Sequence, residues 1–141
     1  MTTWHLHPTY MRLADGAYLR VLLIFDPSSR RFVGAGVAES EGDIEKILRC
    51  AITRDGLPAL VRQLPNPLFD DLTGSITRLL AEHGFRPGVE DACLDEDLVW
   101  VIDSARHISK AAERTKPATR AELADALHDG LDTVGTVAAG Q

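Results

Sequence analysis

The stretch Tyr18 to Phe25, YLRVLLIF, constrains the fold more than any other part of the chain. A strand with one wet face alternates polar and apolar residues, whereas a nearly continuous apolar run of strand length is expected of a strand covered on both faces. Asp26-Pro27-Ser28-Ser29 follows with turn chemistry, because proline presets φ and the Asp and Ser side chains bond nearby amides. Arg31 to Ala38, RFVGAGVA, then resumes as a strand. Upstream, Trp4 to Leu13 reads as a further strand, joined through Ala14-Asp15-Gly16, where glycine supplies the positive φ that a tight hairpin requires. A three-stranded antiparallel meander results. Gly34 and Gly36 fall on one face of its third strand and leave room for close approach of a helix or another backbone. Lying inside a strand, they do not form a phosphate-cradling loop.

Helical periodicity begins after Ser40, a capping residue followed by Glu41 and Asp43 in the first turn. Ile44, Ile47, Leu48, Ala51 and Ile52 share one helical face, and Gly56 stops the helix. Pro58 opens a short buried strand, Ala59 to Leu64, which Pro65-Asn66-Pro67 ends. Leu72, Ile76, Leu79 and Leu80 mark a helix over Asp70 to His83, stopped by Gly84. Phe85 to Asp91 reads as a short strand, and Glu90, Asp91, Asp95, Glu96 and Asp97 as a solvated acidic loop. Leu98 to Ile102, LVWVI, is strand-like, with Asp103 or Ser104 as cap of a following helix that Pro117 breaks. Thr119-Arg120-Ala121-Glu122 is a capping box before a last helix carrying Leu123, Leu127, Leu131 and Val134, with residues 136–141 expected to fray.

At 141 residues the chain is long enough for one domain with a real core and too short for two comfortable ones, so 1–141 is taken as a single domain. No apolar run spans a bilayer and no secretory signal opens the chain, so the expected location is the cytoplasm and no membrane partner is expected. Cys50 and Cys93 lie far apart without metal-binding spacing and are expected to be buried thiols. A net charge of -6 disfavours non-specific attraction to phosphate backbones.

With the elements in this order, the sequence resembles the catalytic core of the retroviral-type integrases and Mu-like transposases. The resemblance is carried by FDPSSRRFVGAGVAESE, by the helix ending in Asp55-Gly56-Leu57-Pro58, and by Phe69 followed by a helix ending in His83-Gly84-Phe85. It implies an α/β, RNase H-like fold: a mixed sheet with a three-stranded antiparallel meander followed by alternating helices and strands. Such cores use two aspartates and a glutamate to hold Mg2+ or Mn2+ for phosphoryl transfer. The first aspartate of the family stands in a Trp-x-x-Asp-x-Thr setting; here Trp4 and Thr9 match and His7 occupies the aspartate position. Counting five residues back from Phe69, where the second aspartate is expected, reaches Leu64. The family's Lys-Gly-x-x-Glu-Arg setting is matched best by Lys110, Glu113 and Arg114, with Glu90 and Glu96 as alternatives. Two of the three carboxylates are therefore replaced, and a core without them has too few hard oxygen ligands for Mg2+.

His5 and His7 alternate on one strand face at a permissible zinc spacing, but no further Cys or His supports a site, and both read as edge-strand histidines. Asp26 reads as a turn cap, and Arg30 and Arg31 as a solvated hairpin end. None of the serines has a nucleophile-elbow setting. The expectation is a degenerate integrase-like or transposase-like domain, related to DNA integration and recombination, a pseudoenzyme needing no cofactor. Two alternatives stand beside it. One is an active core with carboxylates recruited from Asp26, Asp70, Asp71 or the acidic loop and loaded with Mg2+ or Mn2+. The other is an interaction module that docks a partner or a second copy as a homodimer, DNA being a weakly supported partner.

Overall fold

The computed structural model describes residues 3–58, 60–63, 70–84, 87–88 and 95–139. In chain order these form β1 (Thr3–Arg12), β2 (Tyr18–Asp26), β3 (Arg31–Val37), α1 (Glu41–Asp55), β4 (Leu60–Gln63), α2 (Asp70–Glu82), β5 (Pro87–Gly88), α3 (Asp95–Arg114) and α4 (Arg120–Ala139). The sheet order is β3-β2-β1-β4-β5. β1 to β3 pair antiparallel, while β4 joins β1 and β5 joins β4 in parallel, so the sheet is mixed, as expected.

Two cores flank the sheet. On one face Trp4, Leu6, Leu22, Ile24 and Val33 pack against Ile44 and Leu48 of α1 and Ile76 and Leu80 of α2. On the other, Met11, Val21, Leu23 and Phe25 pack against Val101, Ala105 and Ile108 of α3 and Leu123 and Leu127 of α4. This double cover explains the unbroken apolar run of β2, whose residues from Val21 to Phe25 are all fully buried. A bulge between Ile24 and Phe25 sets Phe25 opposite Phe32, and the two rings stack at 5.2 Å.

The punctuation follows the sequence chemistry. Ser40 caps α1 with a reciprocal capping box to Asp43, and Gly56 ends the helix at φ 77°. Asp26 caps its turn: its Oδ1 accepts from the Ser28 hydroxyl at 2.6 Å and from the Ser28 amide at 3.1 Å. At α4 the Thr119 hydroxyl accepts from the Glu122 amide, but the Glu122 carboxylate accepts from Ala118 rather than from the cap residue, a box shifted by one.

Three expectations are corrected. Leu98 to Ile102 is not a strand but part of α3, and Ser104 is a buried residue inside that helix rather than a cap. Val101, Ala105, Ile108 and Ala112 form one helical stripe into the core, so burial on a helix face outweighs the strand preference of a short apolar run. His5 and His7 do not lie on an edge strand, because β1 runs down the middle of the sheet with His5 opposite both Phe25 and Arg62. Cys50 is exposed on α1 rather than buried; Cys93 lies outside the described residues. Among the described residues no helix is long and apolar enough to cross a membrane.

Candidate functional site

Among the described residues β4 pairs with β1 from Thr3 opposite Leu60 to Leu6 opposite Gln63, and His7 follows on β1. Side chains alternate along a strand, and His5, His7 and Thr9 therefore turn toward the layer of α3 and α4. On α3, Ile102, Arg106, Ser109, Lys110 and Glu113 recur at helical spacing beside the buried stripe. These two rows enclose a cleft of about 320 Å³: His7 and Thr9 line it from β1, and Ile102, Ala105, Arg106, Ser109, Lys110 and Glu113 from α3.

His7 packs edge-on against Phe25 at 6.3 Å between ring centroids. Burial pushes its pKa below the ordinary 6.5, so at neutral pH the ring is uncharged, with one N–H to donate and one nitrogen to accept. Glu113 reaches the same cleft at its far end, where its Oε2 accepts the Arg12 amide N–H at 3.2 Å. Arg12 stands five residues beyond His7, roughly 16 Å along an extended strand. His7 and Glu113 thus share a cleft without converging on one point. Leu64, the third residue singled out in the sequence, lies outside the described residues, as do Glu90, Asp91 and the rest of the stretch 64–69.

A second polar cluster sits at the other end of the β1–α3 contact. The buried His5 feels the charges of Arg62 on β4, Asp97 in the first turn of α3 and the buried Asp26. Burial, followed by the Arg62 charge, lowers the His5 pKa; Asp97 and Asp26 act in the opposite sense. Arg30, held in a left-handed conformation at φ 54°, places its guanidinium 3.9 Å from Asp97 and over the Trp100 ring at 5.3 Å. Reading α3 as a strand plus a loop hid this cluster. The acidic residue at 97 belongs to a helix start, where a negative charge suits the positive end of the dipole.

Among the described residues neither place fits a resident divalent cation. Mg2+ requires a shell of hard oxygen ligands. The cleft offers one neutral imidazole and one carboxylate held by the backbone, with two cationic side chains beside them. In the cluster, arginines accompany the two aspartates. Among the described residues no group of three or more His, Cys, Asp or Glu could hold a metal ion.

No protein-family model and no curated protein matches the sequence. Solved structures do. The catalytic core domain of BIV integrase superposes with a TM-score of 0.69 at 14% identity, covering 93% of this chain and 81% of that one. The catalytic core domain of HTLV-2 integrase, in complex with magnesium, gives 0.65 at 14% identity, covering 93% and 82%. A chain of the simian T-cell lymphotropic virus intasome in complex with a PP2A regulatory subunit gives 0.64 at 13% identity, covering 89% of this chain and 46% of that one. With its mixed five-stranded sheet and helices on both faces, the chain has the fold of the retroviral integrase catalytic cores.

Proposed function

We propose that this domain derives from DNA integration or transposition, does not carry out metal-dependent strand transfer, and serves as a binding or assembly module. The observation that carries this reading is the reversed charge of the β1–α3 cleft. The position where the resemblance places a catalytic aspartate holds His7, and α3 contributes Arg106 and Lys110 beside it. A cation brought there would meet two like charges, a neutral ring and one carboxylate, Glu113, which already accepts the Arg12 amide. The HTLV-2 core was solved in complex with magnesium, whereas the described lining here carries two cations and one carboxylate. Titration of Mn2+ followed by electron paramagnetic resonance tests the reading: the free-ion signal should fall only by weak, non-saturating binding, and a saturable site would overturn it.

A second reading is supported by the cluster at His5. Asp26 and Asp97 are two carboxylates near one imidazole, the kind of relocated set that an active core would need. Arg30 and Arg62 oppose it by supplying the compensating charge from the protein itself. A saturable Mn2+ site abolished by Asp97→Asn would favour this alternative. As an assembly module, the domain would take a second copy as its partner; the HTLV-2 core was solved in both trimeric and dimeric forms. Sedimentation that stays monomeric at all concentrations would remove self-association from the proposal.

A further inference from the structure

We propose that the outer edge of β3 is a strand-addition site for an extended, acid-bearing segment of another protein, received between α1 and α4. The proposal rests on the preceding reading of the domain as a binding module and names the partner of that module.

The first argument is the backbone of the outermost strand. Among the described residues β3 pairs with β2 alone. In an antiparallel ladder, hydrogen-bonded pairs alternate with pairs whose backbone groups point away from each other. The Ala38 amide donates to the Arg20 carbonyl at 2.8 Å, so by the register Gly36 and Gly34 also bond to β2. Ala35 and Val37 therefore turn their N–H and C=O groups outward, and among the described residues no backbone bond reaches those groups. Unpaired groups in such a row are a template for another strand. From Phe32 to Ala38 the strand carries none of the charges or prolines that ordinarily blunt an open edge.

The walls around that edge give the second argument. Ala35 and Val37 line a cleft of about 250 Å³, between Lys46 and Cys50 of α1 and Ala124 and His128 of α4. Each is 6% exposed, so the edge is recessed without being sealed. A recessed edge selects its occupant by shape. A second copy carries its own β3 between the same two helices, so the two edges cannot meet, and a helix, about 10–12 Å across with its side chains, is too wide. A single extended chain fits, pairing main chain to main chain while its side chains alternate toward α1 and α4. The Arg120–Asp43 ion pair joins α4 to α1 beside the cleft and engages the one carboxylate of the described lining. Lys46 adds a further positive charge that no second carboxylate of this lining balances, and an acidic side chain complements it. The net charge of -6 supplies no long-range attraction for such a partner. Main-chain bonds therefore carry the affinity, and Lys46 sets the preference.

Fluorescence polarisation of labelled peptides of about six residues, an ordinary strand length, titrated with the whole chain provides the test. The probes alternate Thr and Val, with one Glu, Gln or Lys moved through the positions. Saturable binding is expected for Glu peptides, weaker by about two- to fivefold for their Gln counterparts, the scale of an exposed ion pair, and weakest for Lys peptides. Lys46→Gln should erase the difference between Glu and Gln peptides, whereas Arg49→Gln, on α1 and outside the cleft, should preserve it. Only one edge of the peptide faces β3. N-methylation of one alternate set of its amides should therefore weaken the best binder by about tenfold or more, and methylation of the other set should leave it unchanged. Ala35→Pro removes an outward N–H without touching the β2 ladder and should weaken every probe. Circular dichroism checks its fold, and the methylated peptides carry the same test on the unaltered protein. Absence of saturable binding, or binding indifferent to which set is methylated, would overturn the proposal. So would a dimer in sedimentation that Ala35→Pro abolishes, because a second copy would then hold the edge. If every peptide fails while Mn2+ also finds no saturable site, this partner alone is wrong. If Mn2+ saturates a site, the functional reading beneath it fails as well.

Discussion

Replacing Gly36 by alanine should destabilise the protein, although alanine is ordinarily the better residue within a strand. Gly36 lies on β3 where α1 presses on the sheet. A Cβ built there would stand 2.6 Å from Cγ1 and 2.9 Å from Cδ1 of Ile47, which is itself buried. Ile47 cannot easily swing away, because a β-branched side chain in a helix has one strongly preferred χ1 rotamer. Either the rotamer or the helix must move, at an overpacking cost of about 1–3 kcal/mol. The less flexible unfolded chain returns about 0.4–1 kcal/mol, so the net loss should be about 1–2 kcal/mol. For a chain of this size that lowers Tm by about 3–7 °C. Urea unfolding of the wild type, Gly36→Ala, Ile47→Ala and the double variant measures the coupling. Ile47→Ala removes the clashing atoms and should cost about 2–4 kcal/mol alone. In its background Gly36→Ala should cost almost nothing, giving a coupling energy of about 1–2 kcal/mol. An unchanged or raised midpoint for Gly36→Ala, or strict additivity in the double variant, would refute the packing argument.

Other consequences can be checked in the same way. Gly74 is exposed in α2, and a Cβ there would meet nothing within 4 Å, so Gly74→Ala should stabilise by about 0.5–1 kcal/mol in the same urea assay. Asp26→Ala removes the acceptor for the Ser28 amide and hydroxyl and should cost about 1.5–3 kcal/mol, whereas Asp26→Asn, which keeps one oxygen, should recover part of the loss. His5 and His7 have pKa values lowered below 6.5 in the folded state, chiefly by burial. Near pH 6.5 and below, the unfolded chain takes up protons that the folded chain resists, so this stability is present above that pH and declines as pH falls. The urea midpoint should therefore drop between about pH 7.5 and 5.5, above the range where the carboxylates titrate, and His7→Gln should reduce that drop.

Much of the fold was legible because local chemistry and tertiary packing agree. The apolar run of β2, the Ser40 cap, the Gly56 and Gly84 stops and the paired glycines of β3 each have a local signature, and each meets the partner that signature implies. The central place of β1 was not legible. Its mixed sequence includes the buried His5 because polar groups gather at this end of the sheet, and the parallel partner β4 comes from far along the chain. The strand misread at 98–102 shows the same limit, since five apolar residues fit either period until their partners are known. Of the candidate site, His7 and Glu113, singled out from the family spacing, line one cleft, yet the sequence did not reveal that Arg106, Ser109 and Lys110 lie beside them. Extending the helical period of α3 back through Ile102 would have placed those residues on the face that meets β1.

The central claim is that an integrase-like fold has been kept without the strand-transfer chemistry. The most direct measurement incubates the purified chain with end-labelled duplex DNA and supercoiled plasmid in Mg2+ and in Mn2+, and follows nicked and joined products. The account predicts no metal-dependent product above the protein-free control, and no difference between the wild type and Glu113→Ala. Nicking or joining that requires the metal and disappears in Glu113→Ala would contradict it.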